Sequence, residues 1–212
     1  MLPELRFQTP KSNRRPYGSH RFDVWSPKIG RRLTLFGQRS LRAWVAIEAD
    51  PTIVEFCERP LAIESQKPSR VIDFWVRRAT LAELWLLLRA PEAGGKDEAV
   101  SPAFREWSRK HGLSLCLLPL EEPALSDAQF RNWGTVLRYL AANRRLLQED
   151  LVAGVRVACR DAVALGTLEQ RFQHHDPILV RTALFRLVHQ GVVHAPEFAH
   201  ASLDPLMRFK AA

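Results

Sequence analysis

The sequence predicts an α/β protein with a mixed central sheet flanked by helices, followed by a small α+β domain. Three stretches predict it. Arg70 to Arg89 reads as two adjoining strands, the first β-branched and aromatic, the second rich in Leu and Trp. Runs apolar on both faces suit strands in the middle of a sheet. Pro102 to His111 reads as a helix stopped by Gly112, and Leu113 to Leu118 as a strand closed by Pro119. That strand–helix–strand order implies a right-handed crossover and a parallel pair. From Glu149 onward the chain changes character, with three helices preceding two short strands.

The remaining elements follow in order. Residues 1–25 are basic, Pro-containing and aperiodic, which predicts an extended arm. Ser26 to Arg32 reads as a cationic turn leading to a strand at Leu33 to Phe36. In residues 38–49, Leu41, Trp44, Val45 and Ile47 or Glu48 recur at helical spacing, and Asp50-Pro51 ends the helix, because a residue before proline is pushed out of the helical region. Short strands are expected at Ile53 to Phe56 and Leu61 to Glu64, and a loop at Pro91 to Ala99. After a polar linker, Ala128 to Gln148 reads as a helix with Phe130, Trp133, Leu137 and Leu140 in one stripe. These readings divide the chain into an arm (1–25), an α/β domain (26–148) and a C-terminal domain (149–212).

In the last domain one helix is expected from Leu151 to Val163. A second begins near Thr167, where Gln170 three residues later fits a capping box. A third has Asp176 as N-cap and Pro177 as its first residue, with an apolar stripe of Val180, Ala183, Leu184, Leu187 and Val188 and a stop at Gly191. Strands at Val192 to His194 and Met207 to Phe209 complete the order of a winged-helix module.

The balance of charge bounds the partners. The chain of 212 residues carries 31 Lys and Arg against 23 Asp and Glu, a formal charge of +8. Residues 1–32 hold Arg6, Lys11, Arg14, Arg15, Arg21, Lys28, Arg31 and Arg32 against only Glu4 and Asp23. Such an arm favours anionic partners, nucleic acid first. Cys57, Cys116 and Cys159 are far apart in apolar surroundings, which predicts reduced core residues of a cytoplasmic protein. Neither an export signal at Met1-Leu2-Pro3-Glu4 nor a membrane span is predicted.

Together the stretches resemble the TnsA-type transposon endonucleases. The likeness rests on Ser26-Pro27-Lys28-Ile29-Gly30-Arg31, a helix ending Glu48-Ala49-Asp50-Pro51, the corner Glu58-Arg59-Pro60, and the strand Val71 to Arg78 bearing Asp73. The helix-plus-strand at Phe104 to Leu118 and the run Phe185 to Gly191 also fit, so the likeness spans roughly residues 26–209. It implies a restriction-endonuclease-like (PD-(D/E)XK) core followed by a winged-helix domain. It also implies a bacterial, nucleoid-associated subunit of a heteromeric transposase, working on transposon-end double-stranded DNA with a DDE transposase and an AAA+ regulator.

The resemblance also assigns the catalytic positions. Its helix Glu stands ten residues before the Asp of Asp-Pro, which here is Ser40. Its strand pair of Glu or Gln and Lys falls on Leu87 and Arg89, so only Asp73 survives. A Mg²⁺ nuclease centre needs carboxylates to anchor the ion and a group that activates water. Ser40 brings no charge, Leu87 no ligand, and Arg89 does not lose its proton. The expectation is an inactive centre without cofactor, with Asp73 paired to Arg89. The alternative is an active Mg²⁺ endonuclease with rearranged ligands, for which Glu48, Glu64 and Glu83 are the candidates. A stand-alone winged-helix regulator is a further alternative.

Arg14, Arg15, Lys28, Arg31 and Arg32 are candidate phosphate contacts, set against a solubilising tail. Arg181, Arg186 and His189 lie off the apolar stripe of the third helix, facing either DNA or the ATPase regulator. His174-His175-Asp176 reads as a helix cap rather than a metal site, and Glu121-Glu122 as solvated linker. Trp44, Trp75, Trp85, Trp107 and Trp133 read as core, and Trp25 as the surface aromatic.

Overall fold

A computed structural model describes residues 5–63, 69–89, 100–120 and 125–212. The loop expected at 91–99, Glu64 and the pair Glu121-Glu122 lie outside them. By internal contacts the chain forms two units, one of Met1–Val24, Arg31–Ile47 and Thr52–Ala124, the other of Trp25–Gly30, Glu48–Pro51 and Leu125–Ala212.

Regular structure begins inside the expected arm. Strand β1 (Arg21–Ser26) pairs with β2 (Arg31–Phe36). Phe22 and Val24 are half-buried while Arg21 and Asp23 are exposed, the alternation of a one-sided strand. The surrounding cations hide that pattern in the sequence. Upstream, Leu5 and Phe7 pack against the core of the first unit, Phe7 meeting the Trp75 ring edge-on at 5.8 Å. Helix α1 (Gln38–Ala49) has the expected bounds and buries Trp44, Val45 and Ile47.

The central sheet is mixed. After β3 (Ile53–Glu58), the short strands β4 (Ala62–Ile63) and β5 (Arg70–Val71) pair with each other as a separate ribbon. Then come β6 (Phe74–Arg78), β7 (Ala82–Leu87), helix α2 (Pro102–Lys110) and β8 (Leu113–Leu118). The strand order is β3-β6-β7-β8. The first two pairings are antiparallel and β7–β8 is parallel, as the crossover reading requires. The strand expected to run unbroken from Arg70 instead breaks at Ile72-Asp73. There the Ile72 N–H donates to Leu61 O (3.0 Å) and the Asp73 N–H to Trp85 O (3.1 Å), so the chain changes partner strand at these two residues. Trp75, Leu84, Leu86 and Leu88 join Phe104 and Leu113 in one core cluster. Phe74, Trp85 and Leu87, one position out of phase, are buried as well. Both faces of the sheet are therefore covered, which explains the unbroken apolar run.

In the second unit, helix α3 (Asp127–Asn143) starts at a capping box formed by Ser126 and Gln129. It ends five residues before the expected Gln148. Its last side chain, Asn143, donates to Tyr139 O (3.1 Å) and to Thr182 Oγ1 (3.0 Å). Helix α4 (Glu149–Ala158) likewise stops short of Val163, which lies in β9 (Val163–Ala164). Helix α5 (Leu165–Arg171) begins before Thr167 and has no side-chain cap, so the capping box expected at Thr167 and Gln170 is not formed. Helix α6 (Pro177–His189) is as expected: Asp176 Oδ1 accepts the Ile178 N–H at 2.8 Å, and the whole predicted stripe is buried. Strands β10 (Val193–His194) and β11 (Arg208–Ala211) pair antiparallel, and β9 adds to β11 as a third strand.

Both α3 and α4 pack on α6. Helix α3 thus belongs with the C-terminal elements and does not close the first domain. Buried Asn132 explains part of this. Its amide donates to Phe198 O (2.9 Å) and Ala201 O (2.8 Å) and accepts the Leu203 N–H (3.0 Å), tying the segment before β11 to α3. Among the described residues no helix is long and apolar enough to cross a membrane.

Gly191 ends α6 in the left-handed region, φ 71°, and a Cβ there meets Pro51 Cβ at 2.8 Å. Gly191→Ala is expected to destabilise the chain by at least about 1–2 kcal/mol, with the clash adding to it, as read by urea unfolding.

Candidate functional site

Ser40, Asp73, Leu87 and Arg89, scattered over fifty residues, line one cleft of about 530 Å³ in the first unit. Each is set there by a local device. Gly37, at φ 85°, turns the chain from β2 into α1 and donates its N–H to His20 O at 2.8 Å, which puts Ser40 in the first turn of α1. Asp73 sits in the break between β5 and β6. Leu87 ends β7, and Arg89 follows two residues on. Pro16 and Ser19, from the segment before β1, line the cleft as well.

The Asp73 carboxylate is engaged by the protein itself. Its Oδ2 accepts the Leu87 N–H at 2.8 Å and stands 3.8 Å from Arg70 Nη2. The expected pair with Arg89 is therefore corrected: Arg70 is the ion partner, and Arg89 exerts a weaker pull. Burial raises the carboxyl's pKa above its ordinary value, against the opposing effects of Arg70, the Leu87 amide, Arg89 and Arg39. Arg70 won the position because it is itself buried, donating to Leu87 O at 2.7 Å, whereas Arg89 is exposed. Arg39, beside Ser40, donates to Pro119 O (2.8 Å) and to the carbonyls of Leu88 and Leu118, closing the ends of the parallel strand pair.

Among the described residues, the cleft lining does not suit a Mg²⁺ ion. The ion needs oxygen ligands of negative charge, and among the described residues the cleft sets Arg39, Arg59, Arg70 and Arg89 beside the Asp73 carboxylate, which already serves an amide and a guanidinium. The second carboxylate, Glu58, is buried and accepts two hydrogen bonds from Arg31, at 2.8 and 2.6 Å. Among the described residues no three His, Cys, Asp or Glu side chains group as metal ligands.

Compared with models of known protein families and with curated proteins, the chain matches none.

The other candidate carboxylates serve other ends. Glu48 does not line the cleft; it is fully buried within the second unit. It accepts a hydrogen bond from Ser26 Oγ and lies 2.8 Å from His189 Nε2. Serine, glutamate and histidine meet here with the carboxylate in the middle, so the histidine does not reach the serine through this chain of bonds, and the serine is fully buried. Lys28 Nζ donates to Asp50 O at 2.7 Å in the same unit. Glu83 accepts the Trp85 indole N–H at 3.1 Å. Asp176 caps α6, and His174 and His175 beside it are exposed.

The candidate DNA contacts divide. Arg14, Arg15 and Arg32 are exposed, and Arg15 Nε holds Ser19 O at 2.7 Å. Arg31 is committed to Glu58, Arg181 to Glu169 and Tyr139, and Arg186 to Glu149 at 2.6 Å. Trp44, Trp75, Trp85 and Trp133 are core, while Trp107 stacks on Phe104 with ring centroids 5.2 Å apart. Trp25 is half-buried under the Arg144 guanidinium, 4.4 Å from the ring centroid, rather than presented at the surface. Sequence reasoning missed Arg39, Arg59 and Arg70; only the last carried a signal, a cation three residues before a strand aspartate.

Two outcomes are expected. Arg31→Ala leaves the Glu58 charge buried and unpaired, costing roughly 3–5 kcal/mol in denaturant unfolding. Because the Asp73 pKa is raised, the folded chain binds that proton more tightly than the unfolded chain. Stability therefore falls as pH rises from the ordinary carboxylate value through the raised one. Asp73→Asn removes that contribution, which thermal melts from about pH 4 to about pH 7 will read as a flatter profile.

Proposed function

We propose that this chain is a DNA-binding, non-hydrolytic subunit of the TnsA type, acting in a heteromeric transposase with a DDE transposase and an AAA+ regulator. One observation carries the reading. The positions that a nuclease of that type would use come together in one cleft, and guanidiniums surround the sole remaining aspartate. A mixed sheet with one parallel pair supports the restriction-endonuclease-like core, and the α4–α5–α6 group with its small antiparallel sheet supports the winged-helix module. The charge of +8 and the exposed Arg14, Arg15 and Arg32 support contact with phosphates. In such an assembly the DDE subunit cuts the 3′ strand and the 5′ strand stays attached, which favours cointegrates.

The decisive measurement is nicking of transposon-end plasmid in Mg²⁺ or Mn²⁺. No cleavage is expected, from the wild type or from Asp73→Ala. Metal-dependent nicking that Asp73→Ala abolishes would overturn the reading. Retention of duplex DNA should weaken steeply with salt, and removing Arg14 or Arg15 should lower the log–log salt slope by about 1 each.

A further inference from the structure

One aromatic side chain stands clear of the fold. Tyr17 is fully exposed, at the tip of a turn shortly before β1. The turn is Pro16-Tyr17-Gly18-Ser19. The Ser19 N–H donates to Pro16 O at 3.2 Å, and Gly18 takes φ 71°, the sign that a type II turn requires at its third residue. Arg15 Nε donates to Ser19 O at 2.7 Å and closes the turn a second time. Just beyond, His20 O accepts the Gly37 N–H at 2.8 Å, which ties this segment to the residue before α1. The base of the turn is thus held while the ring projects into solvent.

A single exposed aromatic is ordinary surface; the setting of this one is not. Arg14 and Arg15 precede the turn and are exposed, as is His20 after it. Residues 5–22 contain no Asp or Glu. Pro16 and Ser19, the two ends of the turn, line the cleft, whereas Tyr17 is outside its lining. A nucleic-acid strand offers phosphates and bases side by side, and a ring next to guanidiniums meets both. Within a duplex the faces of each base are covered by its neighbours and only the edges are open in the grooves. The ring therefore fits an unpaired base.

We propose that Tyr17 stacks on an unpaired base of a nucleic-acid strand whose phosphates pass Arg14 and Arg15. The inference rests on the DNA-binding reading above and adds that the strand is single at this point. The arginines supply affinity that falls with salt, and the ring supplies preference for an open base. Every base has a π-face, so the contact tolerates any sequence. The phenol hydroxyl plays no part in it.

The test uses the full chain with a fluorescent single-stranded oligonucleotide, its duplex, and the single strand carrying 5-iododeoxyuridine for photocrosslinking. Tyr17→Ala should weaken single-strand binding about tenfold and duplex binding by less than about twofold. Its salt slope should match that of the wild type, because stacking releases no counterions. Tyr17→Phe should bind as the wild type does, and the crosslink should map to Tyr17. Neither variant should shift the melting temperature, since the ring is fully exposed. Arg14→Ala should instead weaken both probes and lower the slope. Unchanged single-strand affinity in Tyr17→Ala, with both probes weakened by Arg14→Ala, overturns the stacking proposal alone and leaves the ring to a protein partner. An equal loss on the duplex, or weak binding by Tyr17→Phe, also overturns it. A wild-type chain that binds neither probe overturns the DNA-binding reading as well.

Discussion

The hydrogen bond from the Leu87 amide to the Asp73 carboxylate joins the break after β5 to the end of β7, and the cleft is built around it. Asp73 stands where the chain leaves one strand pairing for another. Its carboxylate replaces the missing backbone acceptor, and Arg70 balances its charge from a buried position three residues earlier. Its Oδ2 is thereby engaged within the fold, by an amide at 2.8 Å and a guanidinium at 3.8 Å.

The second unit is organised by a comparable buried polar group. Glu48 joins Ser26 to His189, Lys28 holds Asp50 O, and Gly191 lies close against Pro51. The stretches that make the sequence resemble a nuclease, Ser26 to Arg31, Glu48 to Pro51 and Phe185 to Gly191, thus have a structural reason for their residue types. A buried carboxylate needs donors, and a helix that ends against a proline needs a residue without a side chain.

Most elements were legible because their signals are local. The α1 and α6 stripes, the Asp176-Pro177 start, the Gly191 stop and the alternation of apolar strands depend on residues a few positions apart. The misread ends share a cause. Helix α3 stops at Asn143 and packs on α6 because Asn143 and Asn132 bond to groups distant in sequence, and no periodicity reports that. Strand β1 was hidden by the cations beside it, and β9 by its length of two residues.

The site divides along the same line. Sequence by itself determined which chemical groups are present: one aspartate, no second ligand at Ser40 or Leu87, and an arginine at position 89. It also determined the apolar pattern that makes a buried mixed sheet. Only the tertiary structure decided the pairings. It gave Asp73 to Arg70 rather than Arg89, Arg31 to Glu58 and Glu48 to Ser26 and His189, and it gathered four arginines around one cleft. The reason is physical. A charge pairs with whichever partner shares its burial, and burial is set by packing between segments far apart in the chain.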